Sequence, residues 1–329
     1  MHILAVDDDP IILELLEHFI GSIPEYQITT AECVTDALEL MVDKTMRFDC
    51  FLLDIQMPGT NGIEFTRILR DLACYRSTPI LMLTAMSDKD YIDDSFAAGA
   101  TDYITKPFEL NGLKARLGLV ERIAAEQRKQ ANTLHAASTF QDMSPGAIAG
   151  NLTVELAHPF PIFDVEGVIE NHALENYVTE LSRKSLCGSV VLGFTIRHIA
   201  DLYACLTPYD FTCIVTDVSE AIADCLLPTR RLVSYSGNGT FVCVVEGAAH
   251  IDLDRLVNHI NLYIAAMELS TSDGTALNIR ICAGRTSRLI WRKGDSAIDA
   301  LRQAHVSAEE AADQLERNLG CIWTVAQSA

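Results

Sequence analysis

Three consecutive carboxylates, Asp7, Asp8 and Asp9, close the first apolar run of the chain. A fourth, Asp54, follows the apolar run 50–53. Thr84 follows the run 79–83, and Lys106 lies just past the run 102–104. Clustered carboxylates repel one another unless a cation joins them. An all-oxygen set of this kind suits Mg²⁺, which keeps several waters and leaves room for a phosphate. Lys106 would add a point charge opposite that anion. Asp54, flanked by apolar residues at a strand end, is placed as a nucleophilic carboxylate should be. Together these residues suit a nucleophilic carboxylate beside a divalent cation with room for a phosphate. Singly, each has an ordinary role. Asp8 or Asp9 would cap the helix that opens at Pro10, Thr84 would be a plain strand residue, and Lys106 a solvated lysine. Jointly, a polar group at every one of these ends has no such explanation.

The elements that must position them alternate in type. Short apolar runs at 2–6, 26–30, 50–53, 79–83 and 102–104 read as strands. Amphipathic stretches at 10–20, 34–42, 63–72 and 88–98, and from about Leu110 onward, read as helices. Five strand–helix alternations predict a doubly wound α/β domain with a parallel sheet covered on both faces. Ligands of such sheets bind outside the carboxyl ends of the strands, where the polar residues fall.

The chain of 329 residues carries 45 acidic and 25 basic side chains, a formal charge of −20. That length suggests two domains or one large one. Residues 1–130 hold 22 acids against 12 Lys and Arg, so both halves come to −10. Neither half is built to coat a phosphate backbone or an anionic membrane, so no nucleic-acid or membrane partner is expected. The ten cysteines form no CxxC pair and no Cys/His ligand spacing, and are expected as reduced thiols. Asp7–Asp9 interrupt the apolar start, so no signal peptide is expected. No apolar run approaches the roughly 20 residues that span a bilayer. A cytoplasmic protein is expected.

Residues 1–125 resemble the receiver domain of two-component response regulators, a flavodoxin-like fold. The resemblance rests on four motifs in order: Val6-Asp7-Asp8-Asp9-Pro10, Leu52-Leu53-Asp54-Ile55-Gln56-Met57-Pro58-Gly59, Ile80 through Ala85, and Ala98 through Phe108. It implies that Asp54 is the phosphoacceptor. It implies that Asp8 ligates Mg²⁺ directly and Asp7 through water, with the Gln56 backbone carbonyl as a further ligand. Lys106 would contact the phosphoryl oxygens across a cis bond to Pro107. Thr84, with Ala85 beside it, and Tyr103 would form the phosphate-sensing switch. A sensor histidine kinase or phosphotransferase would be the donor. Phosphorylation would remodel the face made by the fourth helix, fifth strand and fifth helix.

From Leu110 the helical pattern continues through Leu113, Leu117, Val120, Ala124, Gln127, Ala131 and Leu134. This fits either one amphipathic helix whose second half is solvated or a dimerising signalling helix that would make the protein a homodimer. Residues 126–163 are read as helical extension and linker, with Ser, Thr, Pro and Gly over 136–150.

Residues 164–329 predict an α+β domain. Helices are expected at 168–184, 198–206, 210–226, 253–267 and 296–317, and strands at 189–195, 232–236, 240–245, 277–283 and 321–325. Gly237-Asn238-Gly239 is a hairpin turn. The order resembles the GGDEF (diguanylate cyclase) domain, a nucleotide-cyclase-like fold. Asp164 with Asn171, the stretch 231–241, the strand at 277–284 and the helix at 297–320 carry the resemblance. The departures lie where the family's chemistry sits. Gly237-Asn238-Gly239-Thr240-Phe241 replaces Gly-Gly-Asp-Glu-Phe. No carboxylate stands near Gly193–Thr195, where a metal-binding Asp belongs. The inhibitory Arg-x-x-Asp falls on Pro228 and Arg231. Two-metal chemistry without its carboxylates has nothing to hold the metals. The resemblance with these departures implies an inactive domain that binds no nucleotide and signals to a downstream protein of unknown identity. The alternatives are a GTP or cyclic di-GMP sensor without turnover, or a divergent cyclase drawing ligands from Asp201, Asp210 or Asp217. A transcription factor is disfavoured for want of a basic helix-turn-helix segment.

Overall fold

The computed structural model describes residues 1–42, 46–85, 89–108, 110–122, 124, 154–163, 165–180, 188–246, 251–289 and 295–327. The chain divides into two units, Met1–Asp142 and Met143–Ala329.

In the first unit, β1 (His2–Val6), β2 (Gln27–Ala31), β3 (Cys50–Asp54), β4 (Ile80–Thr84) and β5 (Asp102–Thr105) form one parallel sheet. Its order, β2-β1-β3-β4-β5, is the flavodoxin-like doubly wound arrangement. β3 and β4 are buried along their whole length, as strands covered on both faces must be. α1 (Pro10–Gly21) and α5 (residues 110–122) cover one face. There Leu13, Leu16 and Ile20 of α1, and Leu113, Leu117 and Val120 of α5, join Ile3, Ala5, Leu52, Leu81 and Ile104 in one core. α2 (Val34–Val42), α3 (Gly62–Asp71) and α4 (Lys89–Ala97) complete the unit. Leu4, Val6, Phe51, Leu53 and Met82 point to the other face and are equally buried, and Thr66 of α3 reaches the Met82 sulfur at 3.5 Å. The residue patterns explain the helix starts. Pro10 at the first helical position follows Asp9, whose carboxylate accepts from the Ile11 N–H at 2.9 Å. Asn61 and Glu64 form a reciprocal capping box at α3. In the stripe expected beyond Leu110, Leu113, Leu117, Val120 and Ala124 are buried. Gln127, Ala131, Leu134 and the segment 136–150 lie outside the described residues.

The second unit begins, among the described residues, with 154–163. Its elements are α6 (Asn171–Glu180), β6 (Val190–Ile196), α7 (Ile199–Cys205), α8 (Pro208–Cys225), β7 (Arg231–Tyr235), β8 (Thr240–Val245), α9 (Leu253–Ala266), β9 (Ile281–Ala283), β10 (Ser287–Arg288) and α10 (Asp295–Gln327). The strands form an antiparallel sheet of order β10-β6-β8-β7, with β9 also on β6. Leu192, Phe194, Cys243, Val233 and Tyr235 pack on one side against Phe211, Ile214, Val218 and Ile222 of α8 and Ile260 and Ile264 of α9. On the other side α10 lies on β6. A Cβ at Gly193 would stand 2.2 Å from the Ala304 carbonyl oxygen and 3.2 Å from the Ala308 Cβ, so the helix backbone seats directly on that glycine.

Three boundaries differ from the sequence reading. Cys321–Val325 is helix, not strand, because α10 runs on to Gln327. Propagating an existing helix gains a backbone hydrogen bond for each residue fixed, and no proline stops it after Ala297. The strand expected at 277–283 is confined to Ile281–Ala283, and β10 follows after a break. The helix expected from Val168 starts at Asn171, because Val168 makes a parallel bridge to Val233. In the segment read as linker, Val154, Leu156 and Phe160 pack on the core of this unit, and Asp164 lies outside the described residues.

Candidate functional site

Register brings the polar residues of the first unit to one rim. Val6 pairs with Leu53, Asp54 with Leu83, and Thr84 with Thr105. Asp7, Asp54, Thr84 and Lys106 therefore stand at neighbouring carboxyl ends. Lys106 Nζ donates to Asp7 Oδ2 at 2.5 Å and to Asp54 Oδ1 at 2.6 Å. The second Asp54 oxygen accepts from the Gln56 N–H at 2.7 Å, and Asp7 Oδ1 accepts from the Asp9 N–H at 3.1 Å. Both Asp54 oxygens are thus held in place. Asp7 and Asp54 are buried, and Asp8 is exposed beside them. One carboxylate oxygen from each of the three lies within 4.8 Å of the others, and among the described residues this is the group able to hold a metal ion.

The electrostatics follow from burial. Desolvation pushes the Asp7 carboxyl above its usual range, against the opposing hydrogen bond from Lys106. Burial depresses Lys106, but its hydrogen bonds to Asp54 and Asp7 outweigh this and hold the ammonium above its ordinary value. Two buried carboxylates on one ammonium leave net negative charge, with an exposed third carboxylate adjoining. The donor set is all oxygen, which fits a hard divalent cation.

Each sequence-predicted residue can be placed. Asp7, Asp8, Asp54 and Lys106 converge. Asp9 instead caps α1, the ordinary role weighed for it. Thr84 is buried at the end of β4, its carbonyl accepting from the Lys106 N–H at 2.6 Å, and Ala85 beside it is exposed. The Lys106–Pro107 bond is cis. Tyr103 is buried edge-on against Phe96, with ring centroids 6.2 Å apart. Gln56 is exposed. Gly62 was missed. A Cβ there would lie 2.1 Å from the Asp54 carbonyl oxygen, so only glycine lets α3 start against the Asp54 backbone. Its position between the cap Asn61 and the apolar Ile63 was the available signal.

The second unit's signature positions form a different structure. Gly237, Asn238 and Gly239 all take positive φ, at 88°, 52° and 67°, which suits glycine and asparagine. The Asn238 N–H donates to the Leu156 carbonyl at 2.7 Å, and Gly237 lies against the Ala157 carbonyl. Thr240 and Thr195 are buried and joined hydroxyl to hydroxyl at 2.9 Å, and Phe241 is in the core. Thr207 caps α8, and its hydroxyl donates to the Asp210 carboxylate, which also accepts from the Ser272 N–H at 2.8 Å. The Thr207 hydroxyl, then Ser272, hold its carboxyl below the usual range. The Asp201 side chain is exposed, and burial raises Asp217. Among the described residues, none of these three belongs to a group able to hold a metal.

Residues 3–118 match the family described as response regulator receiver domain. The phosphate regulon transcriptional regulatory protein PhoB of Pseudomonas aeruginosa is 39% identical over 120 residues, 36% of this chain and 51% of that protein. The cyclic di-GMP phosphodiesterase response regulator RpfG of Xanthomonas campestris pv. campestris is 35% identical over 117 residues, 35% of this chain and 30% of RpfG. Among solved structures, the chemotaxis response regulator CheY4 of Vibrio cholerae is 34% identical, with 36% of this chain and 97% of that chain covered at a TM-score of 0.34. The chain spans between 18% and 52% of the length of the curated relatives it matches. No described helix is long and apolar enough to cross a membrane. With the parallel sheet and its acidic rim, the match makes residues 3–118 a response regulator receiver domain of two-component signalling.

Proposed function

We infer that the chain is a phosphorylation-controlled response regulator, with Asp54 as phosphoacceptor and the second unit as a non-catalytic, GGDEF-like output domain acting through protein–protein contact. The observation that carries the first part is Lys106, held at once on Asp54 and Asp7 beside the exposed Asp8. The donor is a phosphohistidine on a sensor histidine kinase or phosphotransferase. The Asp54 oxygen forms its bond to phosphorus as the phosphorus–nitrogen bond of the donor breaks. Gln56 N–H and Lys106 fix the carboxylate for in-line attack, and Lys106 offsets charge on the equatorial oxygens. Asp7, Asp8, Asp54 and the Gln56 carbonyl would hold Mg²⁺, which when bound neutralises the transferring group. Labelling of the full chain by acetyl phosphate is expected with Mg²⁺ and lost in excess EDTA. Equal labelling with and without the chelator would remove the metal from the reading.

The element order β6-α7-α8-β7-β8-α9-β9 supports the GGDEF-like reading. The Thr195–Thr240 hydrogen bond, and Gly193 beneath α10, support loss of the catalysis. Leu156 and Ala157 against the hairpin turn argue against a nucleotide seated there.

The Thr84/Tyr103 switch leads into α5 and the connector, so phosphorylation is expected to change self-association. Light scattering with and without beryllofluoride measures this. An unchanged mass across a wide concentration range would exclude a dimer switch.

A further inference from the structure

Just past the end of β6, the Arg197 N–H donates to the Arg280 carbonyl at 2.9 Å. Ile196 registers on Ile281, so Arg197 and Arg280 flank the paired ends of β6 and β9 and continue that pairing by their backbone hydrogen bond, Arg197 half-buried and Arg280 exposed. Like charges so placed repel. Among the described residues neither guanidinium has a hydrogen bond or ion pair, and Arg197 Nε is buried without a partner. The nearby acids do not serve them. Glu316 accepts from the His198 N–H at 3.2 Å and lies 3.3 Å from His198 Nδ1, and Asp201 lies 3.9 Å from that same nitrogen. Arg197, Arg280, His198, Asn278 and the acidic Asp201 line a cleft of about 440 Å³, with Leu202 and Ile279 as its apolar wall.

In a chain of charge −20, two unpaired arginines side by side oppose the general balance. A buried guanidinium nitrogen without an acceptor is costly, and the cost falls when a ligand supplies the oxygen. Guanidinium forks match the oxygens of a phosphoryl group in pairs. A single carboxylate would offset one positive charge, whereas a phosphate dianion offsets both.

We propose that this cleft is an oxyanion site in which Arg197 and Arg280 together bind a phosphoryl group, either free phosphate or the terminal group of a small phosphomonoester. It is a separate site from the aspartate rim of the receiver. The test uses the full chain with EDTA present, so that divalent metal at the rim plays no part. Thermal unfolding is followed against inorganic phosphate and against glycerol phosphate, each compared with chloride at matched ionic strength. The wild-type Tm rises by about 3–6 °C at roughly ten times Kd. R197Q and R280Q abolish the rise, and in chloride alone R280Q is as stable as wild type or more so, because the repulsion is gone. A rise with the ester alone assigns the group to a larger molecule, and a rise with both assigns free phosphate. No rise with either probe, an equal rise in both variants, or a fall in Tm for R280Q in chloride would overturn the site.

Discussion

Asp54→Asn is expected to reduce labelling of the full chain by acetyl phosphate to background. Asparagine is nearly isosteric, so the substitution keeps the end of β3 and removes only the anionic oxygen proposed to attack phosphorus. The neighbouring carboxylates cannot take over. Asp7 is buried, with one oxygen on Lys106 and the other on the Asp9 N–H, and burial disfavours its charged form. Asp9 is committed to the α1 cap. Asp8 is exposed, but no described ammonium faces it as Lys106 faces Asp54. Nucleophile, ammonium and acidic neighbours act as one unit, so removal of the nucleophile forfeits nearly the whole acceleration. Radiolabel or phosphate-affinity electrophoresis reads the result, with circular dichroism to show that the fold persists. A variant that labels as strongly as wild type would move the acceptor to another residue.

The receiver was legible because its signals are local and repeated. Strand runs, amphipathic helices and strand-end polar residues all point to one parallel sheet, and register then places Asp7, Asp54 and Lys106 together without further information. Gly62 escaped because its constraint is a close approach across the β3–α3 turn, which no periodicity reports. In the second unit the central strands and the Gly237–Gly239 turn were legible, because β6 and β8 are buried on both faces and the turn needs positive φ. The end of the chain was misread because Cys-Ile-Trp-Thr-Val has strand-like composition, whereas the preceding helix decides its conformation. The Arg197/Arg280 pair was invisible because it is a cross-strand relation between residues 83 positions apart. The seating of α10 on Gly193 is of the same kind, and it bears on whether a carboxylate could be accommodated there.

Gly193→Asp, which on the proposed GGDEF-like reading places a carboxylate on the strand where a cyclase would need one, is expected to unfold the second unit rather than activate it. The Cβ alone would stand 2.2 Å from the Ala304 carbonyl oxygen and 2.8 Å from its carbon. Those are backbone atoms of α10, which is fixed along β6 by buried Ala297, Ala300, Ala304 and Ala308, so the helix must move as a body. Overpacking of this kind costs about 1–3 kcal/mol. Gly193→Ala measures that part by itself. The aspartate adds a buried charge beside a carbonyl oxygen, and the expected total is about 4 kcal/mol or more, a large share of a domain's stability. The Thr195–Thr240 hydroxyl pair offers no cation to offset it. Urea unfolding of the full chain should show the second unit's transition shifted strongly to lower denaturant for Gly193→Asp, and less for Gly193→Ala. Incubation of either protein with GTP and Mg²⁺ or Mn²⁺ should yield no cyclic di-GMP, because a metal site needs space as well as charge and α10 occupies that space. A Gly193→Asp protein as stable as wild type would show that α10 does not close this position. Product formed by that protein would overturn the proposal that α10 leaves no room for a metal site there.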